Sequence, residues 1–594
     1  MALAGLVWPS AVGVGEGLRR LPDASASAAP ARAIGRLAGL CGDDSPLSLQ
    51  LTADQLMRDR YHLGQHPVAV LPRRLRWTED PFGDRQWRQK LQMLRYVNAL
   101  AFAWEETGDV RYRSRARSLV ESWLRANLYA GPASNAAWRS QVAAWRTMTL
   151  ICLTDMFPGD WLTRAIARHG EILYRPGTWV RKGNHALNQA IALLDAGCHL
   201  RRAAWRRRAA QRIGILARQE VDRKGVSAEQ ATKYDLYDYE RFSVAIALLK
   251  ACRVPRPEGL GRIALIPRFL AHATRPDGHL ETIGDTDDVP LAPIPGTATE
   301  FIPSGCTVGR HPDRTVALYR AGYAFIRTGW GEARRCREET FVSLRFQRGH
   351  RSHGHDDSGG ITLYGKGGKL LVDPGYGDQN SSRWHQFFVS RAAHNVVRVN
   401  GMAARPDRGS VLTRRIVTPD TVDLRVRIRV YPGVTLLRRV IVSRQLGYVV
   451  VEDTMHSTRP LRYEQLWHLR PGARPTIDGR RTWTRSGNGD LLIRQLLAGG
   501  TTRRVAGSTS PIQGWFSRSY GHRAKAPVII QSVSGRSARL VTLLVPFRAP
   551  NTGGRPPVAV RDVRVTPNGF RFVVSVEGRR ERLVATASGV TVSR

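Results

Sequence analysis

The densest group of side chains able to do acid–base or metal chemistry occupies residues 349–357, which read GHRSHGHDD. Three histidines and two aspartates in so short a segment are unusual, because histidine is uncommon and costly to bury unless it is used. The hairpin that follows ends in Asp373, and a third strand segment begins near His394. Neighbouring antiparallel strands would bring His355, Asp373 and His394 together. Two imidazoles, one carboxylate and a water make a tetrahedral Zn²⁺ site; a solvated loop of hydrogen-bonded histidines is the alternative.

A second candidate is the pair Asn184 and His185, which opens the helical run GNHALNQAIALLDAG. The preceding Arg181 and Lys182 make this helix start favourable for an anion. Asparagine is also a preferred N-cap residue, and on local grounds capping by Asn184 is the favoured interpretation.

A third candidate is the segment 226–242, VSAEQATKYDLYDYERF, in which tyrosines alternate with acidic residues. A tyrosine near cations, such as Tyr234, can ionise and act as an acid or a base. A packed aromatic face is the alternative, and the local pattern favours it. The aspartates of GDTDD, residues 284–288, lack the spacing of a calcium-binding EF-hand, so we interpret this segment as a turn that lines a groove.

The first half of the chain must position the tyrosines and Asn184 on helices. Residues 50–275 show helical periodicity, and the stretch 86–106 places its large apolar side chains on one face. Further helices are predicted over residues 111–126, 137–156, 161–174, 184–200, 203–222 and 239–252. Short connections punctuated by glycine and proline predict helical hairpins that close into an (α/α) toroid, whose central groove suits an extended polymer.

The second half must position the histidines on strands. A proline-rich passage near residue 300 ends the helical pattern, and beyond it apolar residues alternate with a period of two. Many strands without helical runs predict a large antiparallel β-sandwich. The predicted organisation is a flexible leader over residues 1–48, a helical toroid over 49–295 and a β-sandwich over 300–594.

Composition limits the partners of this 594-residue chain. Its formal net charge of +42 attracts polyanions, which include nucleic acid, anionic lipid and acidic polysaccharide. The charge is spread along the chain and arginine far outnumbers lysine, so a compositional bias is the alternative and the case for nucleic acid is weak. No apolar run reaches the roughly 18 residues that span a bilayer, so we expect no integral membrane segment.

The six cysteines are far apart and form no CxxC pair, which argues against a zinc ribbon or a thioredoxin-like site. We expect no dense disulfide framework and leave one bridge open. The apolar stretch 3–14 has no basic residue before it and is interrupted by Pro9 and Gly13. A disordered leader is therefore favoured over a signal peptide.

Taken in order, these motifs resemble the heparinase II/III-like polysaccharide lyases, which include many alginate lyases. The resemblance spans most of residues 85–530. Its family's fold is a helical toroid followed by an antiparallel β-sandwich. The segments that carry it are Asn184-His185, Glu229 five residues before Tyr234, GDTDD, HGHDD, LVDPG, SRAAHNVVRVNG and GWFSRSYG.

The resemblance implies β-elimination on a uronic-acid-containing acidic polysaccharide. The sugar carboxylate is neutralised, the C5 proton is removed, and the 4-O-glycosidic bond breaks to leave an unsaturated sugar. Because that proton is only weakly acidic, the site must stabilise the developing enolate charge. By resemblance, Asn184 hydrogen-bonds the carboxylate, His185 and His353 act as charge neutraliser and proton-transfer partner, and Tyr234 is the general base, the general acid or both.

The resemblance also assigns residues outside proton transfer. Arg146 and Glu229 would bind substrate, and a zinc ion, usually structural, would be held by His355, Asp373 and His394. One departure is Asp235, where many family members have histidine after the tyrosine. A carboxylate beside Tyr234 disfavours tyrosinate.

Two other function classes stay open at this point. One is a non-catalytic protein that binds acidic glycans on the same scaffold, which the charge and Asp235 favour. The other is a toroid-type glycoside hydrolase, which needs two facing carboxylates that no pair here supplies convincingly. A nucleic-acid binder ranks last. For a lyase on an acidic polysaccharide or oligosaccharide we expect the cell envelope, as a periplasmic or secreted enzyme, with the cytoplasm as the alternative.

Overall fold

The computed structural model describes residue 41 and residues 46–128, 136–346, 352–380, 382–405, 409–485, 487, 489–549 and 556–594. The leader predicted over residues 1–48 lies outside this part, apart from Cys41 and the first helix, which begins at Pro46. His350, the first histidine of the segment 349–357, also lies outside it. The chain divides into two compact units. A helical unit comprises residues up to 228 together with 236–266, and a β unit comprises residues 229–235 and 267–594.

Helices dominate the first half of the chain, as predicted. The predicted helix over 86–106 is two helices, because Leu94 adopts a left-handed conformation with φ of 60° and ends the first of them. The break lets the apolar faces of both pieces be buried. The helices are α1 Pro46–Met57, α2 Arg85–Met93, α3 Val97–Thr107, α4 Val110–Ala126, α5 Ser140–Cys152, α6 Asp160–Tyr174, α7 Gly183–His199, α8 Ala203–Glu220, α9 Thr232–Ala251, α10 Ile266–Ala273 and α11 Arg383–Val389.

Within the helical unit, α7 is central and packs against α5, α6 and α8. Its residues are buried almost throughout, from Ala186 to Gly197, because neighbouring helices cover it on several sides. α9 begins earlier than predicted, at Thr232, so Tyr234 lies in its first turn. Among the described residues, no helix has the length and hydropathy needed to cross a bilayer.

All six cysteines are paired, which corrects the expectation of at most one bridge. The bridges are Cys41–Cys152 and Cys198–Cys252 in the helical unit and Cys306–Cys336 in the β unit. Wide spacing along the sequence hid the pairs, because helix packing and loop return bring residues together that are up to 111 positions apart.

The second half is built of antiparallel strands, as predicted. After two short pairing segments, β1 Arg60–Tyr61 and β2 Ala69–Val70, the remaining strands of the described residues lie beyond residue 315. They are β3 Val316–Tyr319, β4 Tyr323–Arg327, β5 Phe341–Arg345, β6 Ile361–Gly365, β7 Gly368–Leu371, β8 Val397–Val399, β9 Ser410–Val417, β10 Thr421–Ile428, β11 Val434–Ser443, β12 Val449–His468, β13 Thr476–Asp478, β14 Arg481–Trp483, β15 Asp490–Gln495, β16 Thr501–Val505, β17 Ser508–Thr509, β18 Ile512–Gln513, β19 Trp515–Phe516, β20 Ala524–Lys525, β21 Val528–Phe547, β22 Val558–Thr566, β23 Gly569–Val576, β24 Arg579–Thr586 and β25 Val590–Ser593.

Three of the sheets form the body of the β unit. A ten-stranded sheet, built around the long paired strands β12 and β21, contributes apolar residues to two separate cores. The first core also contains residues of the five-stranded sheet β3–β7, and the second contains residues of the four-stranded sheet β22–β25. Val449 and Val451 lie in the first core and Val450 in the second, as the two-residue period of a strand requires. The start of β12, residues 449–451, is buried on both faces, and its sequence there is correspondingly a run of three valines.

Candidate active site

Two loops of the β unit meet at His353. The imidazole of His353 lies with Nδ1 2.9 Å from Asp285 Oδ2 and Nε2 3.5 Å from Glu229 Oε2. Each ring nitrogen therefore faces a carboxylate, and a protonated ring donates to both. His353 keeps 17% of its side chain exposed, whereas the two carboxylates are almost completely buried.

Tyr234 stacks on the same imidazole. The two ring centroids are 3.6 Å apart and the planes are inclined by only 12°. Tyr234 is half-buried in the first turn of α9, so part of its side chain remains accessible. A phenol against an imidazole that carries a proton is in a favourable electrostatic contact, because the ring face is electron-rich.

Backbone contacts fix the loop that carries His353. The amide of His353 donates to the carbonyl of Glu229 at 3.3 Å, and the amide of Asp285 donates to the carbonyl of His353 at 3.0 Å. Gly284 adopts φ of +64°, and a Cβ there would lie 2.5 Å from the His353 carbonyl oxygen. Only glycine fits this position, so the GDTDD segment is a turn, as predicted, whose glycine allows the close approach of two loops.

Asp285 joins this site to a second histidine. Its Oδ1 lies 3.0 Å from His355 Nε2, and its Oδ2 also accepts from Gln379 Nε2 at 2.8 Å. Burial by itself would raise the pKa of Asp285, but the hydrogen bonds from His353 and His355 outweigh it and hold the pKa below its ordinary value. The carboxylate therefore stays ionised and orients both rings.

The other aspartates of the turn hold neighbouring side chains. Asp287 pairs with Lys233 and accepts from the Tyr376 hydroxyl at 3.0 Å. Burial, reinforced by the charge of Asp287, raises the pKa of Tyr376 well above its usual value, so Tyr376 stays a neutral donor. Asp288 accepts from Arg275 at 2.7 Å and pairs with Lys369.

The three residues predicted to hold a metal lie together in the β unit. One ligand atom from each of His355, Asp373 and His394 lies within 4.8 Å of the others, and all three side chains are buried. His394 Nδ1 is 3.1 Å from Asp373 Oδ2, close to the roughly 3.3 Å that separates two ligands on one tetrahedral zinc. His394 Nε2 is buried with no hydrogen-bond partner among the described residues. The donor set therefore fits zinc, and the bond from His355 to Asp285 is the outer contact that a zinc-bound histidine usually makes.

Asn184 and His185 lie in the helical unit, in the first turn of α7. The helix begins at Gly183 and its N-cap is Lys182, so the predicted capping by Asn184 is wrong. Asn184 is buried and His185 is exposed.

Arg146 is placed differently from the prediction. Its guanidinium is completely buried between Trp123, 3.6 Å away, and Trp138, 4.7 Å away. It donates to His169 Nε2 at 2.9 Å and to two backbone carbonyls. A group with no exposed surface has nothing to offer a substrate, so the predicted substrate-binding role is corrected to a structural one.

The carboxylates of Glu229 and Asp235 are both buried. The carboxylate of Glu229 is 3% exposed and faces His353, so it is placed to orient that ring, and its contact with substrate stays a prediction. Asp235 is completely buried, and its charge acts on Tyr323. Successive helical residues point roughly 100° apart, so Asp235 and Tyr234 do not share a direction.

Sequence reasoning missed a polar cluster inside the helical unit. Asn188, one helical turn beyond Asn184, donates to the Tyr237 hydroxyl at 2.9 Å and accepts from Arg241 Nε at 3.0 Å. Burial raises the pKa of Tyr237, against the opposing influence of Arg241 and Asn188. Arg241 also lies over the ring of Trp145. The i, i+4 spacing of the two asparagines was the available signal.

Two family models match the chain. One, described as Heparinase II/III N-terminus, covers residues 49–256, and the other, described as Heparinase II/III-like, C-terminal, covers residues 316–553. Together they account for more than half of the chain. The chain belongs to the heparinase II/III-like family.

Individual members of the heparinase II/III-like family are distant in sequence and close in fold. The heparin-sulfate lyase of Pedobacter heparinus is 20% identical over 520 residues, which is 80% of this chain and 76% of that protein. The crystal structure of heparinase III matches 91% of each chain with a TM-score of 0.76 and 17% identity. That of the heparan sulfate lyase HepC from Pedobacter heparinus matches 94% of this chain and 93% of its own, with a TM-score of 0.68 and 16% identity. The predicted toroid followed by a sandwich is confirmed.

Membership of the heparinase II/III-like family also bears on activity. The family and its lyase relatives support a polysaccharide lyase. They favour neither a binding protein without activity nor a toroid-type glycoside hydrolase.

Proposed function

We propose that this protein cleaves a uronic-acid-containing acidic polysaccharide by β-elimination, with Tyr234 and His353 as its proton-transfer pair. The stack of Tyr234 on His353 carries the proposal, because it places a phenol and an imidazole, two groups that can each transfer a proton, side by side at a partly exposed position. Glu229 and Asp285 hold the imidazole in place from opposite sides.

The chemistry assigns each group a step. Tyr234, as phenolate, takes the C5 proton of the uronate, the electron pair forms the C4–C5 double bond, and the C4–O bond breaks. The leaving oxygen then receives a proton, returned from Tyr234 or supplied by His353. A protonated His353 against the Tyr234 ring stabilises negative charge on the phenol oxygen.

The sugar carboxylate must also be neutralised while charge develops on the adjacent carbon. Asn184 and His185 keep this predicted role, which rests on the family resemblance. Asn184 supplies an amide donor, and His185, which is exposed, supplies a cation when protonated.

We further propose a structural zinc held by His355, Asp373 and His394. The chemistry of the donor set supports this ion, since two imidazoles and a carboxylate are ordinary zinc ligands. When bound, the ion would cross-link the loop that contains His355 to two other segments. His353 is two residues away, so this cross-link would restrict its movement.

An extracytoplasmic location is part of the proposal. Disulfides persist in oxidising compartments such as the periplasm and the cell exterior, and are rare in the cytosol. All the cysteines of this chain are paired. The bridges therefore support a periplasmic or secreted enzyme, where acidic polymers are available as substrates.

The test is a panel of polymers incubated with purified, metal-analysed protein. Heparan sulfate, chondroitin sulfate, alginate and polygalacturonate would be compared by ultraviolet absorbance of the unsaturated uronate and by reducing-end release. We expect both signals to rise together on at least one polymer. New reducing ends without ultraviolet absorbance would contradict elimination, and silence on every polymer would contradict the proposed activity.

A further inference from the structure

A surface of the β unit combines two tryptophans with two arginines. Helix α11 supplies Arg383 and Trp384, and the β19–β20 hairpin supplies Trp515 and, in its loop, Arg523. The two indoles meet edge to face with centroids 5.1 Å apart. The guanidinium of Arg523 lies 4.4 Å from the centroid of Trp384, and that of Arg383 lies 5.7 Å from it. We name these four residues the Trp384 platform.

The platform is open and positively charged. Both arginines are exposed, and both tryptophans keep part of their surface exposed. Neither arginine forms an ion pair within the described part of the chain. The nearby acid Asp378 is engaged by the Ser382 hydroxyl at 2.9 Å.

The sequence around the hairpin adds to this charge. Residues 491–561 contain no aspartate or glutamate, although they contain many arginines. An exposed pair of guanidiniums that forms no ion pair among the described residues is a ready partner for an external anion. The excess of positive charge in this segment favours an anionic ligand.

We infer that the Trp384 platform binds an anionic sugar unit of the polymer, one that carries a sulfate or a carboxylate, at a distance from the bond that is cleaved. The apolar face of an indole suits the carbon-bound hydrogens of a sugar ring. Planar guanidiniums match the oxygens of sulfate or carboxylate with paired hydrogen bonds. This inference rests on the proposed function, since it names a second contact for the same substrate.

The platform and the candidate active site share one supporting segment. Gln379 donates to Asp285, which holds His353, and Trp384 follows only five residues later. Five residues of extended chain reach at most about 18 Å. A polymer that occupies both places therefore needs to be only a few sugars long.

The experiment measures binding without turnover. Affinity electrophoresis would be run in a Tyr234→Phe background with heparin, a sulfated uronate polymer, and with polygalacturonate, which carries carboxylates alone. The test variant is Arg383→Gln with Arg523→Gln. The matched control is Arg564→Gln with Arg571→Gln, which removes the same charge from an exposed cross-strand pair elsewhere in the β unit.

We expect the test variant to bind heparin, polygalacturonate or both roughly tenfold more weakly, and the control to change by less than about twofold. A loss on heparin alone identifies sulfate as the ligand, and a loss on polygalacturonate identifies carboxylate. Trp384→Leu, checked for unchanged thermal unfolding, should weaken the binding of the same polymer.

Test and control variants that bind alike would overturn the inference. Equally tight binding of duplex DNA of matched length by the protein with the intact Trp384 platform would also overturn it, because the indoles would then add no sugar recognition. Absence of turnover in the unmodified protein would refute the proposed function and leave this binding result standing.

Discussion

Two histidines of this molecule each lie against an aromatic ring, at 38° for His169 on Trp138 and at 12° for His353 on Tyr234, and they differ in the charges around them. In the helical unit, His169 lies 4.7 Å from Trp138 and accepts from Arg146. In the β unit, His353 lies 3.6 Å from Tyr234 and faces carboxylates at both nitrogens. His169 is completely enclosed, whereas His353 keeps an open side.

The neighbours decide what each ring can do. Burial, and then the charge of Arg146, hold the pKa of His169 well below its usual range, so this ring stays neutral and accepts a hydrogen bond. His353 has anions where His169 has a cation. Residue type alone therefore does not distinguish a proton carrier from a core acceptor; the sign of adjacent charge and access to solvent do.

The largest expected effect is on turnover when His353 is replaced. His353→Gln should lower kcat by roughly 100- to 10,000-fold, because the proton-transfer partner of Tyr234 is lost. Thermal unfolding should change little. His456→Gln, at an exposed site of β12, is the control and should retain full turnover. Normal kcat in His353→Gln would remove this residue from the mechanism.

Arg146 is expected to show the reverse behaviour. Arg146→Met leaves three buried acceptors without their donor, and should lower the free energy of unfolding by about 3 kcal/mol or more. Denaturant unfolding measures this loss, and activity per folded molecule should persist. Arg164→Met removes an exposed arginine of α6 and should cost less than about 1 kcal/mol. Equal effects of the two changes would contradict a structural role for Arg146.

Asp285 should affect turnover and metal content together. Asp285→Asn removes the charge that orients His353 and His355, and we expect roughly a 10- to 100-fold loss in kcat and in zinc affinity. Steady-state kinetics and metal titration measure the two losses. Asp478→Asn, at an exposed strand end, should leave both unchanged. A loss of one property without the other would separate the two histidines that we connect through Asp285.

The smallest expected effect is on the pH dependence of stability. His169 stays neutral in the folded protein, so only the unfolded chain takes up its proton as the pH falls below about 6.5. The contribution of His169 to stability should therefore be constant above that pH and fall below it, by about 1.4 kcal/mol per pH unit.

His169→Gln should reduce this slope in urea titrations between pH 4 and 6, a range chosen from the ordinary pKa of histidine. His272 and His468, whose pKa values are both lowered to about 3 by burial, should sustain the remainder. An unchanged slope would show that His169 is protonated in the folded state.

Periodicity predicted the broad architecture because helices and strands leave different apolar spacings. It failed at Leu94, where a single left-handed residue divides one apolar stripe into two helices. The three disulfides were missed for a related reason, since packing and not sequence spacing brings cysteines together. Local sequence patterns predict helices and strands, but they say little about which helices and strands pack against each other.

The candidate site was predictable in its residue types and less so in its contacts. His355, Asp373 and His394 were proposed from strand adjacency, and they do lie together. The bridging role of Asp285 required knowing that two distant loops meet through Gly284. The role of Arg146 was predicted wrongly because the sequence around an arginine does not show whether its side chain faces a groove or a core.

The central claim is elimination by Tyr234 and His353, and heavy-oxygen water tests it most directly. Elimination breaks the glycosidic bond without adding water, so products formed in labelled water by the unmodified enzyme should acquire no label from the cleavage step and should carry an unsaturated end. Mass spectrometry reads both, and Tyr234→Phe should form neither product in appreciable amount. A labelled, saturated product would instead show hydrolysis and contradict the account.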